Sequence, residues 1–195
     1  MSSSYNSLID HDVSPADAES IGNAIIELLV SERFLLATPS EQCVLNGLGY
    51  PPGPRIREIF ANHESCVPFW EPNAINGVKV HAERYVNFFA FPQLQFAGCP
   101  QCRHRFPDGD GVIDQLYDSV ATFVNDDRIE IISCPQCNHS SPSNAWRTEP
   151  DIGIAYLGIE FWNWVPFSSP LWTTSIPDLI HDHLGRTMAV SWGKL

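Results

Sequence analysis

Two copies of one tetrapeptide govern what this chain can fold into: Cys99-Pro-Gln-Cys102 and Cys134-Pro-Gln-Cys137. Each CxxC turn offers two thiolates from one tight knuckle whose backbone amides point toward the sulfurs, and two such knuckles complete the tetrahedral soft-ligand shell that Zn²⁺ takes. The two segments are therefore expected to meet in space. Proline after the first cysteine stiffens the turn in both copies. Four thiolates leave the ion no open position for water, so Cys99, Cys102, Cys134 and Cys137 read as ligands of a structural Zn²⁺, a staple and not a Lewis-acid centre. An iron–sulfur cluster takes the same donor set. Redox dithiols also use CxxC, but no thioredoxin-like βαβ pattern surrounds either pair.

The paired CPxC knuckles resemble a zinc ribbon, and the resemblance covers residues 96–140. It implies two facing β-hairpins. The spacer between the knuckles, residues 103–133, exceeds the roughly 15–20 residues of the commonest double-CxxC pattern. Within it Ile113, Leu116, Tyr117, Val120 and Val124 keep helical period, and Ile129-Glu130-Ile131 reads as a strand returning to the second knuckle. The expectation is a ribbon carrying an inserted helix. His104 and His139 follow their knuckles and read as solvent-facing or as supporting the ligands from outside.

Around that unit the sequence predicts an α+β fold in three parts: a helical N-terminal region with the first strands (1–95), the ribbon (96–140), and C-terminal strands with a short helix that complete the main domain (141–195). Ser14-Pro15-Ala16-Asp17 combines a hydroxyl cap, proline at the first helical position and an acid three residues after the cap. Ile21, Ala24, Ile25, Leu28 and Leu29 follow at helical spacing, so residues 14–37 are expected to form an amphipathic helix against an antiparallel or mixed sheet. Thr38–Leu45 reads as a short helix and Arg55–Phe60 as a helical turn. Val78–Ala82, Val86–Phe91, Ile154–Val165 and the alternating Met188, Val190 and Trp192 read as strands. Ser175-Ile-Pro177-Asp178 caps a short helix that stops at Gly185.

Several weaker constellations compete for a functional role. Asp108-Gly-Asp110-Gly111 suggests calcium, but Ser119 stands where an EF-hand requires its twelfth-position Glu, so a turn before the inserted helix is the better reading. His181 and His183, two apart on a helix, point to different faces, with His183 on the side of Leu179 and Ile180. Cys43 and Cys66 read as small buried hydrophobes, and a Cys66–His63 nucleophile has only sequence proximity behind it. The run Phe161-Trp162-Asn163-Trp164-Val165-Pro166-Phe167, with Trp172, reads first as core packed between sheet and helices, and second as a partner-binding or self-association patch. No Walker loop, dinucleotide fingerprint, GxSxG or HExxH is present, and the chain reads as a non-enzyme.

Charge narrows the partners. Eleven basic against 23 acidic side chains give a formal net charge of −12. The imbalance runs along the whole chain, so nucleic acid is an unfavoured partner and a basic protein a favoured one. Arg103-His104-Arg105 is the one local basic cluster, with Asp108 and Asp110 close behind as salt-bridge candidates. No apolar run is long enough to span a membrane, and the opening residues carry neither a signal nor a transit pattern, which places the expected location in the cytoplasm. In overall character, a small, acidic, zinc-stapled chain resembles the immunity proteins that bacteria pair with secreted toxins, and that resemblance implies a binding inhibitor of a basic toxin. The alternative is a zinc-ribbon module of transcription or RNA machinery that uses Arg103 and Arg105.

Overall fold

The computed structural model describes residues 3–60, 69–71, 74–87, 94–149 and 152–194. It is an α+β structure in which every strand pairing among the described residues is antiparallel. The main sheet has four strands: β1 (Ser4–Asp10), β2 (Val78–His81), β10 (Leu157–Trp162) and β11 (Ala189–Lys194), in the order β11-β1-β10-β2. In the register, Leu8 lies between Ile159 and Val190.

Alternation along β10 assigns its side chains to two different layers. Leu157, Ile159 and Phe161 share a core with Ile25 and Leu29 of α1 (Ala18–Ser31) and with Ile176 and Ile180 of α3 (Ile176–Leu184). Gly22 sets how closely α1 lies on the sheet, since a Cβ there would come within 2.7 Å of Val80 and 3.2 Å of Leu157. The opposite face carries Gly158, Glu160 and Trp162. It is covered by a two-stranded sheet of β3 (Tyr85–Asn87) and β9 (Gly153–Ala155), with the Tyr85 ring directly on the Gly158 backbone.

A second core, separate from the first, belongs to the unit that carries the four clustered cysteines. There β4 (Phe96–Gly98), β5 (Arg105–Pro107) and β8 (Arg147–Glu149) form a sheet in the order β5-β4-β8, while β6 (Ile131–Ser133) pairs with β7 (Ser140–Pro142). The inserted helix α2 (Val112–Asp126) buries Val112, Ile113, Leu116 and Phe123 against Phe106, Ile132 and Trp146. Tyr156 packs against both cores.

The structure corrects the sequence reading in several places. β1 had no counterpart in that reading, because its Ser, Asn and Asp residues obscure a strand that the fold buries almost completely. Regular helix runs only from Ala18 to Ser31. The Ser14 hydroxyl accepts from the Asp17 amide at 3.3 Å in a turn ahead of it, and Arg33, at φ 61, leads the chain away after it. The helix expected over Thr38–Leu45 is instead a turn region. A bridge between Ser40 and Gly49 closes it, and Asn46 and Gly47 take left-handed backbone. On α2 the buried face holds Phe123, and Val124 is half exposed. The strand expected at Val86–Phe91 is seen as Tyr85–Asn87, and its remainder lies outside the described residues. The cap at Ser175 is present, its hydroxyl accepting from the Asp178 amide.

Candidate metal centre

Each knuckle is a tight turn closed twice by its own backbone. In the first, the Arg103 amide donates to the Cys99 carbonyl at 3.0 Å and the Cys99 amide to the His104 carbonyl at 3.0 Å. In the second, Asn138 donates to Cys134 and Cys134 to His139, both at 2.8 Å. The residue after each outer cysteine must turn left-handed to return the chain, and Arg103 (φ 62) and Asn138 (φ 57) do so.

The hairpins bring all four sulfurs together, within 4.8 Å of one another. Cys99 Sγ lies 3.8 Å from Cys137 Sγ, and Cys102 Sγ lies 3.7 Å from Cys134 Sγ. A tetrahedron built on Zn–S bonds of about 2.3 Å has edges of about 3.8 Å, so the spacing fits a single ion at the centre. The four cysteines could bind a metal ion such as zinc. Cys99 and Cys134 are buried and Cys102 and Cys137 exposed, which seats the site at the surface of the second core.

The electrostatics favour a cation. Burial works to raise the Cys99 thiol, yet amide donation from Cys102 and Gln101, with the thiols of Cys134 and Cys102, brings it down to about 7. A backbone hydrogen bond from His139 lowers Cys137, but desolvation and the thiols of Cys134, Cys102 and Cys99 outweigh it and push Cys137 up to about 12. Crowded thiols cannot all ionise unaided, and a bound dication removes that conflict.

The other candidate residues do not converge. Cys43 is buried away from the cluster, its thiol raised by desolvation and directed to the Ser40 carbonyl at 3.4 Å. Cys66 and His63 lie outside the described residues. His181 and His183 are both exposed, bonded to Thr187 and to the Leu179 carbonyl respectively. His104 and His139 are exposed as well. Arg105 pairs with Glu149, and Asp108 keeps an interaction of its own. Of the aromatic run, Phe161, Trp162 and Trp164 are buried, Trp164 Nε1 donating to the Asn76 carbonyl, while Phe167 and Trp172 are partly buried against the first core.

A polar cluster that sequence reasoning missed lies between the main sheet and β3. Tyr85 donates to Glu160 Oε1 at 3.3 Å, so the Ser7 hydroxyl 2.7 Å away donates to Tyr85, and His81 Nε2 lies 3.1 Å from Glu160 Oε2 without hydrogen-bond alignment. Tyr5 hydrogen-bonds Asn87 Oδ1. Burial first, then the Glu160 charge, raises Tyr85 well above the usual phenol and pushes Tyr5 up to about 12. Both phenols therefore stay neutral at physiological pH. Only the strand pairing unites these residues, and no local motif marks them.

No helix among the described residues is long and apolar enough to cross a membrane. No family model matches the chain, and no curated protein or solved structure matches it either.

Proposed function

We infer that this chain is a zinc-stabilised protein-binding protein, not an enzyme, and that it acts in the bacterial cytoplasm as an immunity protein that neutralises a basic toxin by direct binding. The observation that carries the first part is the closed four-sulfur shell. A tetrahedral site with all positions taken by Cys99, Cys102, Cys134 and Cys137 supports a structural Zn²⁺. The inhibitor reading is supported by the charge of −12, which steers a cationic partner toward the chain. The exposure of Val190 and Trp192 on the edge strand β11, 46% and 48%, supports contact with a partner there.

Metal analysis of protein purified without chelator is expected to find about one Zn²⁺ per chain. The decisive experiment for the partner is capture from the native cell, followed by expression of the captured protein in cells lacking this chain. Killing that the chain reverses, and that Trp192→Asp fails to reverse, supports the reading. Capture of ribosomes or polymerase, with salt-sensitive RNA binding lost on Arg103→Ala with Arg105→Ala, replaces it with a role in transcription or RNA machinery.

A further inference from the structure

The metal centre is built from one hairpin unit used twice. Pairing in residues 96–107 runs Phe96↔Pro107, Ala97↔Phe106 and Gly98↔Arg105. In residues 131–142 it runs Ile131↔Pro142, Ile132↔Ser141 and Ser133↔Ser140, position for position. The cysteines, the Pro-Gln between them, the following histidine and the closing proline are shared. The first unit, however, carries Arg103 and Arg105 where the second carries Asn138 and Ser140. The second unit is thus an internal control: neither the knuckle nor the hairpin needs a guanidinium at those positions. Arg103 even holds left-handed backbone, which suits Asn better than a long side chain.

A third arginine arrives from β8. Gly98 on the central strand is paired with Arg105 on one side and Arg147 on the other, and directly opposed residues of antiparallel strands share a face. Gly98 places no side chain of its own between the two arginines. They border a hollow of about 600 Å³ that Phe96, Pro100 and Arg103 also line. The Arg105 guanidinium is held 3.5 Å above the Phe96 ring, and its contact with Glu149, 3.6 Å away, joins two groups that are each more than half exposed and costs little to exchange. Among the described residues no carboxylate pairs with Arg103 or Arg147. Three of only 11 basic side chains in an acidic protein therefore surround one cavity.

We propose that this hollow binds a small phosphate-bearing ligand of diphosphate size, gripped by Arg103, Arg105 and Arg147. Guanidinium forks match phosphate oxygens two at a time, and a phosphate dianion outcompetes the single charge of Glu149 for Arg105. The volume lies within the ~300–1,000 Å³ of small-molecule sites. Compactness follows from the surrounding charge: an extended polyanion leaving the hollow meets an acidic surface, whereas a ligand contained within the screening length of about 8 Å does not. The site is independent of the toxin-binding reading and stands whether or not that reading survives.

The test is calorimetric titration of the metal-loaded full chain with inorganic pyrophosphate, against chloride and sulfate at matched ionic strength. Saturable binding of pyrophosphate in preference to sulfate is expected. It should weaken at least about tenfold in Arg103→Asn with Arg105→Ser, which copies the second hairpin into the first, and similarly in Arg147→Ser. Arg128→Ser, outside the hollow, should change nothing. Metal content and melting temperature of each variant show that the fold is retained. The proposal is overturned by absence of binding up to about 10 mM pyrophosphate, by equal binding in the arginine variants, or by single-stranded RNA whose affinity rises with length and exceeds that of pyrophosphate.

Discussion

The hairpins at residues 96–107 and 131–142 share four ligands, paired knuckle hydrogen bonds and strand register, and differ in everything that flanks the shared residues. The first is backed by a third strand and buries Phe106 against Trp146. The second stays two-stranded, leaves Ile131 63% exposed, joins Ser133 to Ser140 by their hydroxyls and buries Ser141 with no partner for its hydroxyl among the described residues. The capacity to hold a metal ion thus resides in the four residues of each Cys-Pro-Gln-Cys knuckle. Anchoring to the core and surface chemistry reside in their neighbours, so one copy can take on a new role while the other keeps the staple.

The largest effect should come from removing a buried ligand. Cys99→Ser and Cys134→Ser are expected to empty the site equally and to destabilise the metal unit by more than about 3 kcal/mol each, since the binding energy of a structural ion is folding energy. Metal stoichiometry and urea unfolding check this. Because the two cores are distinct, the main sheet should outlast the metal unit and give a second transition. Retention of metal by either variant would break the equivalence of the two knuckles.

Next in size is the buried position where the copies diverge. Phe106→Ala should cost about 3–4 kcal/mol through the cavity it leaves. At the matching position Ser141→Ala should be neutral or stabilising by up to about 1 kcal/mol, because it removes a buried hydroxyl that lacks a partner. Equilibrium unfolding of the two variants, side by side, measures how much more the first hairpin is anchored.

The same division explains what could be read from sequence. Ligand chemistry is compressed into four adjacent residues, so both knuckles were legible, as was the cap at Ser175, whose partner Asp178 is three residues away. β1 was not legible, because its polar residues are satisfied at long range: Asn6 donates to the carbonyls of Trp164 and Val165, and Ser7 bonds Tyr85. No local pattern carries such partners. The third arginine of the hollow escaped for a related reason, since Arg147 reaches Gly98 only through the pairing of β8 with β4. Phe123 in place of Val124 on the buried face of α2 is a smaller miss, a rotation by one residue that periodicity alone does not fix.

Main sheet and metal hairpins should also part at opposite ends of the pH scale. Tyr5, pushed up to about 12, and Tyr85, raised well above 10, are held neutral by burial first and the Glu160 charge second, and neither metal hairpin contains a tyrosine. Unfolded phenols ionise near 10, so the stability these residues provide is complete below that pH and is lost as pH rises above it, for Tyr5 through about 12, by at most about 1.4 kcal/mol per pH unit per phenol. The hairpins should fail instead in acid, where protons compete with metal for thiolate. Unfolding free energies of the parent chain and Tyr85→Phe between about pH 9 and 11.5 check the alkaline arm, and the variant should show the shallower decline.

The smallest effect tests the comparison most directly. Arg103 and Asn138 occupy the same left-handed position, and the Cβ of a long side chain meets the carbonyl there at a cost that Asn offsets by bonding locally. In phosphate-free buffer Arg103→Asn should therefore stabilise the chain by about 0.5–1 kcal/mol, and Asn138→Arg should destabilise it by a similar amount. Chemical denaturation of the metal-loaded proteins resolves differences of this size when the midpoints are compared at constant slope. If Arg103→Asn weakens the fold instead, the guanidinium supports the first hairpin from within, and its presence there no longer argues for a ligand. A gain in stability on losing Arg103 means that the fold tolerates the residue at a cost, which is the condition expected of a side chain kept for binding.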